Sequence, residues 1–518
     1  MTPPREIELK LEVPPRCMGR LGRSAVLKGK GPGETAELVS VYFDTPKRKL
    51  RKNGLALRVR CTDGRYRQTI KQGGDRSAGF SARGEWEQDI GGEQPDLEAA
   101  SGTPLQPLVG KKLRRRLRPV FETRVRRRIC PITRGGSAVE VAIDRGRVAA
   151  AKKSAPLNEV ELELKHGNAD ALFAIARALA KLCPVRLGTR SKAERGYALL
   201  DNQKTCAVKA GAVEIAPDAD QQTAFRTVAR ACLHQLAANE AALPQDTAEA
   251  VHEMRVALRR MRAAISLFSD MLAGPQTAAM KAQFKWLGQE LGPARELDVF
   301  IKRVIGRVKD RKSSGAGGVG AMTRDVRRRR RRAFGRAEGT IASARYRDLV
   351  LETAAWIEAG AWTRNDNVRT LRERPITAVA AEELRRRCKK IRKQGRKLAA
   401  LDAKHRHKLR IKVKKIRYAA DFFGAVFPGN KAARRRAKFV GKLKKLQDAL
   451  GDLNDIMVHE RLSKRMAVFP GGRGRRKQRI SKAFVAGRLS GREEERFAAV
   501  MRRAEKARDA FAGVKPFW

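Results

Sequence analysis

Near its start the sequence reads Glu6-Ile7-Glu8-Leu9-Lys10-Leu11, a strict alternation of charged and aliphatic residues. Successive side chains of a β-strand point to opposite faces, so this stretch predicts a strand with one charged and one aliphatic face. The alternation recurs in five further segments of the first 165 residues. They are Leu57-Arg58-Val59-Arg60, Glu85-Trp86-Glu87, Thr123-Arg124-Val125-Arg126, Glu140-Val141-Ala142-Ile143-Asp144 and Glu159-Val160-Glu161-Leu162-Glu163-Leu164-Lys165.

In an ordinary half-buried sheet the charged face would lie in water, and for any single strand that is the usual arrangement. Six strands whose acidic and basic side chains recur at i, i+2 spacing favour a different arrangement. A closed barrel of about eight strands is wide enough for one small ligand, and its inward residues alternate with outward ones. We therefore expect an eight-stranded antiparallel β tunnel with a charged lining and flanking helices, for one of which residues 169–183 are a candidate.

From about residue 221 the hydrophobic period changes to that of amphipathic helices. An internal repeat appears in this half: His252-Glu-Met-Arg255 superposes on His407-Lys-Leu-Arg410, and Leu291-Gly292 superposes on Leu450-Gly451. The sequence therefore predicts an α+β multidomain protein that ends in an all-α pair of helical bundles. We expect the domains at 1–200 and 221–518, the latter divided at about 375 and 376, with a linker at 201–220.

The chain has 518 residues, with 114 Lys and Arg against 55 Asp and Glu, for a formal net charge of +59. So large an excess makes polyanions or an anionic surface the expected partners. The seven cysteines form no CxxC pair, which indicates a reducing compartment. We find no membrane span and no signal-peptide pattern, so we expect a cytoplasmic protein.

Carboxylates enclosed in the predicted tunnel cannot stay ionised without nearby positive charge, because each unpaired buried charge costs several kcal/mol, on the order of 3 to 5. The Lys and Arg residues of the same strands could neutralise them as a purely structural network. Alternatively, oxygen ligands without His or Cys suit Mg²⁺ or Mn²⁺, and Mg²⁺ commonly binds through carboxylates together with substrate phosphates. A lining of both signs is therefore suited to a metal-bound phosphate chain.

An ordered set of motifs across the first 200 residues resembles the CYTH superfamily of triphosphate tunnel metalloenzymes. The motifs, beyond the strands quoted above, are Tyr42-Phe43-Asp44-Thr45, Thr69-Ile-Lys71, Asp144-x-Gly146 and Ser191-Lys192-x2-Arg195-Gly196. The resemblance implies an eight-stranded tunnel and divalent-metal-dependent hydrolysis of triphosphates, with inorganic triphosphate the most common substrate of bacterial members joined to a helical domain.

With this resemblance we assign expected roles to the charged residues of the tunnel. Candidate metal ligands are Glu6, Glu8, Glu159, Glu161 and Glu163. Candidate phosphate-binding residues are Arg58, Arg60, Lys71, Arg124, Arg126, Lys165 and Lys192. Candidate catalytic residues are Lys10, Glu85, Glu87, Glu140 and Asp144.

The helical half resembles the CHAD domain, which often follows CYTH and whose family implies binding of inorganic polyphosphate. Two helices that combine a histidine with basic residues at matching spacing carry this resemblance. Their expected polyphosphate-binding residues are His252, Arg255, Arg259, Arg262, His407, Arg410, Lys414 and Arg417.

Three alternatives to triphosphate hydrolysis stay open. The first is a non-enzymatic polyphosphate binder with a degenerate tunnel. The second is a nucleic-acid-binding protein, which the net charge suggests but which 5% aromatic residues and the lack of a stacking motif disfavour. The third is a class IV adenylate cyclase, disfavoured because no His-Phe pair precedes Glu6.

Overall fold

A computed structural model of the chain describes residues 5–27, 33–73, 78–302, 316–467 and 496–518. Contacts between residues divide the chain into two compact units. The first comprises Met1–Val208, Leu233–Gln245 and Ile341–Ala361, and the second comprises Lys209–Cys232, Asp246–Thr340 and Trp362–Trp518. The predicted boundaries of the linker and of the two helical repeats stay predictions.

The first unit is built on nine strands. They are β1 (Arg5–Glu12), β2 (Glu34–Asp44), β3 (Leu55–Thr62), β4 (Arg65–Gln72), β5 (Phe80–Ile90), β6 (Arg118–Arg134), β7 (Ser137–Ala150), β8 (Lys153–His166) and β9 (Arg186–Leu187).

The strands form one antiparallel sheet in the order β5-β4-β3-β2-β6-β7-β8-β1-β9, and a further pairing of β5 with β1 closes it. Eight strands therefore complete the circuit, while the two-residue β9 pairs with the end of β1. Closure removes the unpaired edges that an open sheet would leave. The predicted antiparallel tunnel followed by a helical region is confirmed, and the ninth strand is an addition that the sequence did not reveal.

Alternation separates a charged inner face from an aliphatic outer face on β3 and β4, whereas part of the inner face of β2, β6, β7 and β8 is apolar, where Leu38, Val125, Val148 and Leu157 pack with Tyr197 of the helix at 192–200. Leu57, Val59 and Ile70 lie on the outer face of β3 and β4 in one buried cluster with Leu50 and Leu113. Burying such side chains contributes roughly 1.5 to 3 kcal/mol each, which is the favourable term that holds the outer layer in place.

Fifteen helical segments lie within the described residues. They are α1 (Met18–Gly22), α2 (Lys49–Lys52), α3 (Lys111–Arg116), α4 (Asp170–Leu182), α5 (Lys192–Leu200), α6 (Gln221–Leu267), α7 (Pro275–Glu290), α8 (Gly292–Phe300), α9 (Ala316–Ala342), α10 (Ala344–Ala359), α11 (Arg369–Arg372), α12 (Ile376–Gly395), α13 (Ala403–Phe422), α14 (Asn430–Ala467) and α15 (496–512).

Helix α6 is interrupted at Asp246, whose φ of −147° and ψ of 67° are not helical. Pro244 lies just before it, and a proline inside a helix removes one backbone hydrogen bond and clashes with the preceding turn. Residues Leu233–Gln245, before this interruption, belong to the first unit. The part of α6 that starts at Asp246 belongs to the second unit.

The second unit has an aromatic core to which both predicted repeat helices contribute. Phe268, which follows α6, lies edge-on to Phe225 with ring centroids 5.5 Å apart and to Phe423 with centroids 6.1 Å apart. Trp362 packs on Phe225 at 5.3 Å. Such edge-to-face pairs add about 0.5 to 1.5 kcal/mol each beyond their buried area. Within the described part of the chain, no helix is both long and apolar enough to cross a membrane.

Gly146 marks a place where β7 passes too close to β6 for any side chain. A Cβ atom at this position would lie 2.0 Å from the Arg124 carbonyl oxygen and 2.6 Å from the Val125 Cα, both of them backbone atoms. We predict that Gly146→Ala lowers the free energy of unfolding by about 2 to 3 kcal/mol, because neither strand can move without breaking its ladder. Urea denaturation measures this effect.

The matched control for this prediction is Gly335→Ala on α9. A Cβ atom there would have no neighbour within 4 Å, and alanine is the better helix former. A Gly146→Ala protein as stable as the wild type would contradict the close strand approach.

Candidate active site

Three carboxylates of β7 and β8 meet inside the tunnel. Asp144 and Glu159 are fully buried, and together with Glu161 each can offer an oxygen within 4.8 Å of the other two. The strand register explains the meeting, because Asp144 is the direct partner of Glu159, and Glu161 follows two residues later on the same face.

Resident cations neutralise this carboxylate trio. The Lys192 Nζ, at the first residue of α5, lies 2.8 Å from Asp144, 2.5 Å from Glu159 and 2.8 Å from Glu161. The Lys10 Nζ lies 2.9 Å from Glu161. Arg127 completes the set with its NH2 2.7 Å from Asp144 and 2.5 Å from Glu161.

Mutual pairing keeps these buried groups charged. Burial alone would lower the pKa of Lys10 and of Lys192, but the neighbouring carboxylates outweigh it and the pKa of each is raised. Burial would likewise raise the pKa of Glu161, yet Lys192 and Lys10 hold it well below its usual value. The centre of the tunnel is therefore a fixed ionic network at neutral pH.

A second ionic group lies along β1, β3, β4 and β5. The Lys71 Nζ bridges Glu6 at 3.3 Å and Glu85 at 2.6 Å. The Arg58 Nη2 lies 3.5 Å from Glu85 and 3.7 Å from Glu87. These contacts place five of the predicted residues from four different strands in one cluster.

Arg60 lies beside this cluster with an excess of positive charge around it. Its pKa is lowered to about 10, chiefly because of Arg58, with contributions from burial and from Arg127. Arg58 and Arg127 are paired with carboxylates, so Arg60 adds a further guanidinium beside two neutralised ones, and a planar guanidinium matches phosphate oxygens well. The arrangement is suited to receive a phosphate group.

Acidic residues dominate at the ends of β7 and β8. Burial raises the pKa of Glu163, and the carboxylates of Glu6 and Glu140 raise it further. The Lys165 ammonium, 2.7 Å from Glu163, lowers it. Lys165 also lies 3.7 Å from Glu140, and its side chain is 46% exposed. Glu8 is buried and accepts a hydrogen bond from the Ser81 hydroxyl at 3.0 Å.

A cavity of about 340 Å³ borders four of these groups, Glu8, Lys10, Arg58 and Lys71, whereas Asp144, Glu159 and Glu161 are not among its lining residues. Its charged and polar lining includes Glu8, Lys10, Arg58, Lys71, Ser81 and Arg190. A space of this size with several cationic side chains can hold a short phosphate chain.

The register of β6 corrects two assignments. Arg124 and Arg126 lie on the outer face and are exposed, and Arg124 pairs there with Glu122 at 2.7 Å. The inward residues are the odd-numbered ones, so Arg127 enters the tunnel in their place. The repeated arginines of the sequence favoured Arg124 and Arg126. The alternating residues Thr123, Val125 and Arg127 form the other face of the strand, and Arg127 lies opposite Asp144 in the ladder.

The residues present fit a divalent metal ion. The trio offers hard oxygen ligands at sharing distance. Lys192 contacts Glu159 Oε1, whereas Glu159 Oε2 has no hydrogen-bond partner among the described residues, and such a carboxylate oxygen can serve as a metal ligand. Asp144, predicted as a catalytic residue, lies with the candidate metal ligands Glu159 and Glu161. Glu163, predicted as a metal ligand, lies instead near Lys165 and Glu140.

In the second unit, the two predicted basic helices come together. Arg259 Nε donates to the Tyr418 hydroxyl at 3.4 Å. Burial lowers the pKa of Lys414 to about 7, and Arg410, Arg259 and Arg417 lower it further against a smaller opposing effect of Asp455. Four cations from α6 and α13 therefore form one cluster, called here the basic cluster.

Equivalent contacts recur in the two repeats. A Cβ atom on Gly292 would meet Arg255 NH1 at 3.2 Å, and one on Gly451 would meet Arg410 Nε at 4.0 Å. The second histidine, His407, contacts Asn454 Oδ1 at 2.7 Å. Burial, followed by Arg295, Arg259 and Arg255, lowers the pKa of His252 to about 4, so this histidine is neutral at physiological pH.

Arg262 departs from the predicted set. It is exposed, and its charge acts on Lys415 together with Arg387, Lys281 and Lys412 rather than on Lys414.

The chain matches the sequence models of two known domain families. The CYTH domain matches residues 4–197, and the CHAD domain matches residues 227–463. Both predicted resemblances are confirmed, in the predicted order.

Relatives of each half are known. An inorganic triphosphatase from Haemophilus influenzae is 30% identical over 201 residues, which are 38% of this chain and 56% of that protein. The match thus spans about half the length of that curated relative. The crystal structure of the CHAD domain from the plant Ricinus communis is similar with a TM-score of 0.50 and 25% identity, over 60% of this chain and 98% of that one.

The inward orientation of Arg127 leads to a prediction about stability. Arg127→Met leaves the buried Asp144 with one cation fewer, so we expect the free energy of unfolding to fall by about 3 kcal/mol. Arg124→Met, three residues away on the outer face, should leave the melting temperature nearly unchanged. Thermal and urea unfolding of both variants measure the difference; equal effects would contradict the register of β6.

Proposed function

We propose that this chain, which carries a CYTH domain followed by a CHAD domain, hydrolyses a short linear triphosphate in its β tunnel and binds polyphosphate through its helical half. The observation that carries the proposal is the mixed lining of the closed barrel, where guanidinium and ammonium groups lie beside clustered carboxylates. The similarity to an inorganic triphosphatase supports the same conclusion.

Inorganic triphosphate is the substrate that the cavity favours. A nucleobase or a thiazolium ring needs a free aromatic face for stacking, but the rings that border the cavity already have protein neighbours. Tyr42 stacks on Phe121 at 4.6 Å, Phe80 stacks on Phe173 at 6.1 Å, and the Arg51 guanidinium lies 4.6 Å from the Tyr197 ring centroid. The cavity thus offers cationic groups to a phosphate chain, while protein neighbours cover part of each aromatic ring.

The cationic residues of the tunnel would bind and orient the phosphates. Arg58, Lys71 and Lys10 line the cavity, and Arg60 and Arg127 add positive charge behind them. Their charge-assisted hydrogen bonds would hold the chain in one pose and stabilise the charge that develops on the equatorial oxygens. Positioning and electrostatic stabilisation supply most of the catalysis in phosphoryl transfer.

The carboxylates Glu6, Glu8, Asp144, Glu159 and Glu161 would hold Mg²⁺ or Mn²⁺. The metal supplies Lewis-acid polarisation of the phosphoryl group when it is bound. Glu85 and Glu87 carry lowered pKa values, because Glu6, Lys71, Arg58 and Thr69 outweigh the effect of burial. They would therefore be ionised acceptors, able to orient an attacking water.

The basic cluster would bind polyphosphate in the helical half. Arg410, Arg259 and Arg417 each disfavour the charged form of Lys414 and outweigh Asp455, so an anionic polymer at this surface would stabilise that charged form. Release of counterions should make this binding strongly salt-dependent. A non-enzymatic polyphosphate binder, a nucleic-acid binder and a class IV adenylate cyclase are the alternatives that a substrate panel separates.

A substrate panel with one tunnel variant tests the proposal. We expect the wild type to release phosphate from inorganic triphosphate with Mg²⁺ or Mn²⁺ and to stop in EDTA. Glu8→Gln removes one candidate ligand charge at nearly constant volume, so kcat should fall by about 100-fold or more. Phosphate release, measured with inorganic, nucleoside and thiamine triphosphates, checks both results.

The matched control is Glu122→Gln on the outer face of β6, which should keep full activity. Release that continues in EDTA, or a Glu8→Gln enzyme that is as fast as the wild type, would remove Glu8 from the metal site. Formation of cyclic AMP in place of phosphate release would instead support the cyclase alternative.

Polyphosphate binding should take up protons. Lys414 has a pKa of about 7 in the folded protein, below its ordinary value, so much of it is neutral at pH 8. A polyanion stabilises the charged form, and affinity should fall as pH rises through 7. Calorimetry in buffers of different ionisation enthalpy measures the uptake. It should shrink in Lys414→Gln and persist in Lys412→Gln; unchanged uptake in Lys414→Gln would contradict the assignment.

A further inference from the structure

An ion pair in the first unit connects the end of the barrel sheet to helix α6. Arg186 Nε on β9 lies 2.6 Å from Glu240 Oε1, and the Glu240 side chain is only 11% exposed. Both residues belong to the same compact unit. Glu240 nevertheless lies in the part of the chain that the CHAD model matches, whereas Arg186 lies in the CYTH match.

The residues that follow Arg186 lie against the tunnel. Strand β9 pairs with the end of β1, and the Gly188 N–H then donates to the Lys10 carbonyl oxygen at 2.9 Å. The approach leaves no room for a side chain, since a Cβ atom on Gly188 would lie 2.6 Å from Lys10 Cγ. The backbone at Gly188 thus packs directly on a residue of the candidate active site.

The same segment ends at a second residue of that site. Thr189, Arg190 and Ser191 line the cavity. The Ser191 side chain then caps α5 in a full capping box with Glu194, and Lys192 is the first residue of the helix. Six residues therefore connect the ion pair at Arg186 to the ammonium group among the three carboxylates.

Charged groups from several elements face Glu240. Arg186 on β9 and Arg347 on α10 favour its charged form, and Glu12 on β1 opposes it. Burial is the largest effect, and it raises the pKa of Glu240 to about 7. Tyr346 on α10 is fully buried nearby, and its hydroxyl has no hydrogen-bond partner among the described residues.

We propose that Glu240 and Arg186 are positioning residues for the triphosphatase reaction. Their ion pair holds the segment 186–191 against β1 and so fixes where Lys10 and Lys192 lie in the tunnel. This inference rests on the proposed function. It means that a residue of the CHAD-matching sequence positions residues of the candidate active site in the CYTH-matching sequence.

A second ion pair provides the matched control. Arg177 on α4 binds Glu352 on α10 through two contacts of 2.5 and 2.9 Å. It likewise joins the barrel part of the first unit to a helix from the other half of the sequence, but its residues do not line the cavity. Glu240→Gln and Glu352→Gln each remove one such charge at constant volume.

Hydrogen exchange tests the positioning without any substrate. In Glu240→Gln we expect the amides of residues 187–191 to exchange about tenfold faster, because the segment opens more often. In Glu352→Gln the same amides should exchange at the wild-type rate. Arg186→Gln, at a half-exposed residue, repeats the test from the other partner and tolerates substitution if Glu240→Gln fails to fold.

Phosphate release tests the consequence for catalysis. We expect kcat of Glu240→Gln at pH 8 to be about tenfold lower with KM within about twofold of wild type, since the lysines are misplaced by a small distance. The wild-type rate should fall toward that of the variant as pH drops below 7, whereas the variant should lack this step. Glu352→Gln should keep the wild-type profile.

The inference would be overturned if the amides of residues 187–191 exchanged at the wild-type rate in both Glu240→Gln and Arg186→Gln. A Glu240→Gln enzyme with the wild-type rate of phosphate release and the wild-type pH profile would overturn it too. If the wild-type protein releases no phosphate from any triphosphate, the proposed function fails. Hydrogen exchange then still decides whether the ion pair holds the segment.

Discussion

Charge neutrality inside a closed barrel is the constraint on which this structure depends. Asp144, Glu159 and Glu161 lie where water cannot solvate them, so each must be matched by a cation within a few ångströms. Lys10, Arg127 and Lys192 supply those cations from β1, β6 and α5. The ionic network therefore requires that three distant stretches of sequence meet, and it fixes the inner face of the barrel.

The need for charge neutrality also indicates where an anionic ligand would be stabilising. At the centre of the tunnel Lys10, Arg127 and Lys192 lie beside the three carboxylates. Arg60 and Lys414 lie among further cations: the pKa of Arg60 is lowered chiefly by Arg58, and that of Lys414 is lowered by burial and then by Arg410, Arg259 and Arg417. An anion with closely spaced oxygens would stabilise the charged forms of both groups, in line with the phosphate ligands proposed for the two halves of the chain.

The segment from Arg186 to Lys192 shows how a short piece of chain can serve both packing and chemistry. One end lies in an ion pair with a helix residue, the middle lies against Lys10 without space for a side chain, and the other end places an ammonium group among carboxylates. Because the segment is closely packed, a small displacement of one end also displaces the other. The geometry of the candidate site is thus set partly by residues far from it in sequence.

The sequence by itself determined the strand periodicity and the change to helical periodicity, and it predicted the internal repeat and a set of charged candidate site residues. Alternation is a local property, so Glu6, Glu8 and Lys10 could be assigned to one face of β1 from their spacing alone. Only the tertiary structure decided which face points inward on β6, where Arg127 replaces Arg124 and Arg126, because a shift of one residue exchanges the two faces. It also decided the pairing of Glu240 with Arg186, since that contact depends on how α6 packs and no local pattern encodes it.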